Sequence, residues 1–191
     1  MKLHLGCGRT RLQGFVNIDV VNGPAVDLVM DFDACGAAGA AFPYPDDSVE
    51  ESFASHLIEH LRSPLPFMQE LWRVTRPGGV ATFLCPYGSS DDAFEDPTHV
   101  RQYFIQSWGY FSQLFYWRAD YGYRGDWDVR RLVLDLDRAR YAGRSPEELL
   151  DLVMTRRNVV RQMRAELVAV KPARAPERAL IRDPRVELNL V

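Results

Sequence analysis

Lys2-Leu3-His4-Leu5 runs directly into Gly6-Cys7-Gly8, and the next apolar run ends Asn17-Ile18-Asp19. A strand ending in glycines lets backbone come close to a ligand, and an acid closing the neighbouring strand can accept hydrogen bonds from a ribose diol. Together they predict a nucleoside pocket. The spacing narrows the choice. Only positions 9 to 16 separate Gly8 from Asn17. A dinucleotide site would need a third glycine, a full helix aimed at pyrophosphate and an acid about twenty residues further on. A helix N-terminus serves mainly to hold phosphate, so its loss favours a nucleoside without phosphates, and S-adenosylmethionine fits that description.

With these residues in place, the chain resembles the class I S-adenosylmethionine-dependent methyltransferases, in particular their compact bacterial type-11-like group. Leu5-Gly-Cys-Gly8 and Gly14-x-x-Asn17-x-Asp19 carry the likeness. It continues in Val26-Asp-Leu-Val-Met-Asp31, Pro45-Asp-Asp-Ser48, Ser55-His-Leu-Ile-Glu-His60, Arg76-Pro-Gly-Gly79 and Asp96-Pro-Thr-His99, so that residues 1 to 110 are covered. The resemblance implies that Asp19 holds the ribose hydroxyls. It gives the adenine amino group to Asp31 or the adjoining backbone at Phe32, with Asp33 close enough to compete with Asp31. The glycine turn and His56 would hold the methionine end, with Leu5, Gly6, Cys7, Gly8 and Val20 completing the cofactor site.

The reaction implied is in-line attack by an oxygen or nitrogen of a small or carbohydrate-like acceptor on the sulfonium methyl. The methyl is already electrophilic, so the protein need only position the acceptor, desolvate the pair and, for a hydroxyl, remove a proton. His99 is the expected base, with Asp96 near enough in sequence to orient it; a histidine capping the following helix is the competing explanation. His4 alternates with Leu3 and Leu5 and reads as structural. Cys7, Cys35 and Cys85 lack paired spacing, so neither a disulfide framework nor a metal is expected, and Cys7 reads as a small residue chosen for packing.

Two rival classes have support in the residues. His56-Leu-Ile-Glu-His60 matches the H-x-x-E-H spacing of inverted zinc peptidases, although a strand before it and Pro64 after it leave little room for the long helix that motif needs. A non-catalytic S-adenosylmethionine binder or interaction protein would keep the nucleoside site while lacking a base.

These residues need elements to hold them. Strands are expected at Lys2 to Leu5, Phe15 to Ile18, Val26 to Met30, Val49 to Ser55 and Val80 to Cys85. A helix should start at Ser63-Pro64 and end at Pro77-Gly78-Gly79. Ile105 to Tyr116 reads as helical, Trp127 to Leu136 as extended, Pro146 to Arg156 as a helix capped by Ser145, and Ala165 to Val170 as extended. The expected architecture is α/β: a Rossmann-like, doubly wound, mostly parallel seven-stranded sheet with an antiparallel last strand and shortened early crossovers. One domain, 1-191, would comprise a cofactor-binding core (1-115), an aromatic insertion with a C-terminal hairpin (116-170) and an extended tail (171-191). The apolar end of that tail, 186 to 191, suggests pairing with another chain and hence a homodimer.

Bulk properties agree. A chain of 191 residues with 47% hydrophobic content can bury one core. No apolar run is long enough to span a membrane, and the first residues enter a strand at once, so a cytoplasmic protein is expected. Residues 1 to 117 carry 7 basic against 14 acidic side chains, and residues 118 to 191 carry 16 against 12. The basic charges of the second half are interspersed, which favours a solvated surface over a nucleic acid partner. The aromatic stretch from Tyr103 to Trp127 could line an acceptor pocket, form a dimer contact or fill the core, and Arg118 and Arg124 suit a lid over an anionic or sugar-like acceptor.

Overall fold

The computed structural model describes residues 1–36 and 41–191. Eight strands, β1 (Lys2–Leu5), β2 (Val16–Asp19), β3 (Leu28–Val29), β4 (Val49–Ser55), β5 (Thr75–Pro86), β6 (Trp127–Leu136), β7 (Val160–Ala169) and β8 (Val186–Leu190), form one sheet in the order β3-β2-β1-β4-β5-β7-β6-β8. The first five are parallel, and β7 runs antiparallel between β5 and β6. The helices are α1 (Pro64–Val74), α2 (Asp92–Glu95), α3 (Arg138–Tyr141) and α4 (Pro146–Thr155), joined by 3-10 turns at Ile58–His60, Ile105–Phe111 and Gln113–Trp117.

The short crossovers between β1, β2 and β3 work because a side chain replaces the helix. Asn17 is fully buried, and its Oδ1 accepts from the Leu12 amide at 2.9 Å and meets His4 Nδ1 at 3.0 Å. Its Nδ2 donates to the carbonyls of Leu12 and Phe15 and to Asp27 Oδ2. One amide group thus satisfies polar backbone that a crossover helix would otherwise satisfy internally. His4 is structural in this arrangement.

Helix α1 starts where Pro64 presets the first helical φ, but Ser63 does not cap it with its side chain. Asp33 Oδ1 accepts from the amides of Arg62 and Ser63 at 2.7 and 3.0 Å instead. Phe67, Met68, Leu71 and Val74 recur at helical spacing and are fully buried. Full burial of each such side chain contributes about 1.5–3 kcal/mol. Phe67 meets Phe32 edge-on at a centroid distance of 5.5 Å. The helix stops at Val74, earlier than Pro77-Gly78-Gly79 suggests, and the chain enters β5 at once. Gly79 is therefore a strand residue. A Cβ there would lie 2.5 Å from Thr75 Cγ2 and 3.2 Å from the Glu50 carbonyl, beside the register shift between β4 and β5.

The expectation of seven strands and an extended tail is corrected by β8, an eighth strand. It pairs parallel to β6 of its own chain, from Leu132↔Val186 to Leu136↔Leu190. An unpaired β6 edge would leave a row of open backbone groups, and the tail satisfies them. Arg174 anchors the approach: its Nε and amide donate to Asp126 Oδ2 and its Nη2 to Oδ1, each at 2.9 Å, and Asp126 is fully buried. In the aromatic stretch Trp108, Phe111, Tyr116 and Tyr123 join the core, whereas Tyr110 and Tyr121 are exposed. No helix among the described residues is long and apolar enough to cross a membrane.

Candidate active site

In open parallel sheets, ligands bind outside the carboxyl ends of the strands where winding reverses. Here that point lies between β1 and β4, which pair in parallel with Leu5 opposite Ala54. Gly6 and Gly8 turn the chain away from β1 with φ of 66° and 54°. A Cβ on Gly6 would press on Leu57 at 3.2 Å, while one on Gly8 would meet nothing within 4 Å. Gly8 thus combines a left-handed backbone with an open face, a place where a ligand can approach the main chain.

Asp19 borders that face. Its Oδ2 accepts from the Gly8 amide at 2.7 Å and its Oδ1 from the Val21 amide at 2.9 Å, so the end of β2 is tied to the glycine turn. Each carboxylate oxygen retains a second lone pair for a diol hydroxyl. Val20 is exposed beside it. Asp31, at the end of β3, is exposed and uses Oδ1 on the Asp33 amide. Of the two acids, Asp33 holds the start of α1 and Asp31 stands just past β3.

The side chains of Leu5, Cys7 and Phe32 belong to the core, so only their backbone is left to meet a ligand. Burial pushes the Cys7 thiol up from its usual range, and the charge of Asp19 adds to this, so a thiolate nucleophile is disfavoured. These arrangements, the open Gly8 face and the anchored Asp19 carboxylate, fit an adenosine group bound without phosphate.

His56 follows β4 with φ of 53° and has a side chain 49% exposed. Its Nδ1 lies 3.2 Å from Glu59 Oε1, and Glu59 raises its pKa, opposed in part by burial. It borders a cavity of about 510 Å³ whose polar lining includes Asp92, Asp135, Asp137, Arg161 and Gln162. These come from the end of β6, the start of β7 and α2, all at the edge where β4 and β5 end. None was singled out in the sequence. Their grouping depends on long-range antiparallel pairing, and the polar residues at the ends of the two extended runs were its only local trace.

His99 lies elsewhere. Its side chain is 7% exposed, with Nε2 3.8 Å from Asp96 Oδ2 and 4.0 Å from Glu59 Oε1. Asp96 is near it, but His99 does not line the cavity that His56 borders. The zinc-peptidase reading is corrected by geometry. Its two histidines would have to share one helix, whereas Ile58–His60 is a single 3-10 turn that excludes His56. His56 faces Glu59, and His60 Nδ1 contacts Thr98 Oγ1 at 3.0 Å.

Residues 3–83 match the family described as methyltransferase domain. An uncharacterized methyltransferase from Mycolicibacterium vanbaalenii is 40% identical over 60 residues, covering 29% of this chain and 24% of that protein. The chain thus spans about a quarter of the length of that relative. Among solved structures, a SAM dependent methyltransferase from Archaeoglobus fulgidus superposes with a TM-score of 0.58 at 13% identity, covering 87% of this chain and 85% of its own. One from Aquifex aeolicus gives 0.50 at 16% identity, covering 88% and 81%. At these identities the structural likeness speaks to fold.

Proposed function

We propose, from a chain whose residues 3–83 belong to the methyltransferase-domain family and whose fold is that of class I S-adenosylmethionine-dependent methyltransferases, that this protein methylates an oxygen or nitrogen of a small or carbohydrate-like acceptor. The observation that carries the reading is the open face of Gly8 beside an Asp19 carboxylate fixed by two backbone amides.

Asp19 would hold the ribose diol and Gly8 the approach of the nucleoside. Asp31 Oδ2 and the Phe32 backbone would take the adenine edge, with Val20 flanking it and Leu5, Gly6 and Cys7 contributing main chain. His56 would stand at the methionine end. When bound, S-adenosylmethionine supplies an electrophilic methyl group to an acceptor lone pair. The protein's part is to orient that lone pair and exclude water. The cavity beside His56 supports a polar acceptor, because its carboxylates and Gln162 can accept from hydroxyl or amine groups while Arg161 can donate.

Where the acceptor is a hydroxyl, His56 is placed to take the proton at Nε2, its Nδ1 being turned to Glu59. His99, the base expected from the sequence, is enclosed behind Glu59 and is assigned to support of that region.

Calorimetry with S-adenosylhomocysteine, on wild type and Asp19→Ala, tests the cofactor site, and thioether formation across a panel of polar acceptors tests transfer. Binding that the variant loses, together with turnover on a hydroxyl or amine acceptor, is the expected result. Failure of the wild type to bind the thioether overturns the cofactor assignment. Tight binding with no turnover on any acceptor favours the non-catalytic binder.

A further inference from the structure

We infer that Glu59, His60 and His99 form a binding site for one divalent transition-metal ion of the zinc class, which adjoins the proposed base His56 through Glu59. One ligand atom from each of the three lies within 4.8 Å of the others, a spacing that small side-chain rotations can close around a single ion.

The carboxylate makes the case. Glu59 is 2% exposed, and among the described residues neither of its side-chain oxygens has a hydrogen-bond partner. His56 Nδ1 is 3.2 Å from Oε1 but misses hydrogen-bond geometry, and His99 Nε2 is 4.0 Å away. Burying a carboxylate without donors is costly, and native proteins resolve it by pairing, protonation or metal coordination. His99 adds a second orphan, since its Nδ1 is also buried without a partner. Two unpartnered groups side by side, both able to act as ligands, point to an ion more than to two separate defects.

The third donor is already oriented. His60 places Nδ1 against Thr98 Oγ1 at 3.0 Å, and that hydroxyl donates to Asp96 Oδ1 at 2.6 Å. An outer hydrogen bond of this kind fixes a ligating imidazole and leaves its other nitrogen for the ion. The backbone supports the grouping, because the Val100 and Arg101 amides both donate to the Glu59 carbonyl, at 2.9 and 3.2 Å. Two imidazoles and one carboxylate form the donor set of three-ligand zinc sites, whose fourth position is left to water or a further ligand. The ion would clasp the turn after β4 to the Asp96–His99 stretch after β5.

The test uses the full chain stripped with chelator and titrated with Co²⁺ and Zn²⁺. Expected are one equivalent bound by calorimetry, visible ligand-field absorption from Co²⁺, and a rise in Tm of roughly 5–10 °C at a hundredfold excess of Zn²⁺ over Kd. His60→Ala, at a half-buried position, should abolish all three, with any fall in metal-free Tm no larger than loss of its Thr98 and His99 contacts explains. Glu59→Gln should do the same, because it removes the carboxylate ligand. His60→Gln serves if His60→Ala does not fold. Absence of ligand-field bands in the wild type, or ion binding that survives in His60→Ala or His60→Gln, overturns the proposal.

Discussion

Asp19 and Asp33 have the same side chain and follow successive strands, yet their surroundings give them different work. Asp19 accepts from two amides at the proposed nucleoside site, whereas Asp33 spends its Oδ1 on the amides that start α1. Asp19→Ala should weaken S-adenosylhomocysteine binding by roughly ten- to over a hundred-fold, on about 1.5–3 kcal/mol for a charge-assisted hydrogen bond. Calorimetry reads this directly, and an unchanged affinity would remove Asp19 from the site. Asp33→Ala should lower stability by about 1 kcal/mol or more, as loss of a helix cap does, with little change in affinity. Asp31→Ala should show the reverse, and paired thermal melts and titrations separate the two. That Asp19 would lie beside the glycine turn was legible because a strand-end acid after such a turn is a local signal. The division between Asp31 and Asp33 was not, since it is set by α1, some thirty positions away.

At the level of elements, the early crossovers depend on charge as well as on Asn17. Asp27 has its pKa lowered from the ordinary 3.8 to about 2, first by the Asn17 backbone amide and then by Arg11 and the Asn17 side chain. A carboxyl group depressed in the folded state contributes stability that is present above its unfolded pKa and lost as pH falls through the folded one. Asp27→Asn should therefore melt lower than wild type near neutral pH, and the gap should close between pH 3.8 and about 2. A gap that is constant across that window in thermal melts at stepped pH would show that Asp27 does not couple folding to protons. The Ser145 cap and the start of α1 at Pro64 were readable because both are written within one helical turn. The early strand positions were close to those expected, but the device joining them was hidden. Asn17 looked like part of a ligand motif, and its buried amide acts on structure.

Across the whole molecule, the mostly parallel α/β class of the sheet was legible through the resemblance its motifs carry, whereas its eighth strand and the polar cavity were not. Both depend on pairings between distant segments, which local periodicity does not encode. The tail is held by Arg174 on Asp126, whose remaining contacts are Ser112 Oγ at 3.3 Å and the Gln113 amide at 3.1 Å. Arg174→Ala should cost toward the lower end of about 3–5 kcal/mol, because those two donors keep part of the buried carboxylate satisfied. Chemical denaturation measures it, and a loss below about 0.5 kcal/mol would mean that the tail is not latched there.

The Asp126–Arg174 pairing also sets an order of events during synthesis. A nascent chain halted before position 174 carries an unneutralised acid at the foot of β6 and a bare outer strand beside it. Until the distal segment clears the ribosome, that rim is open to pairing with a neighbour on the same message.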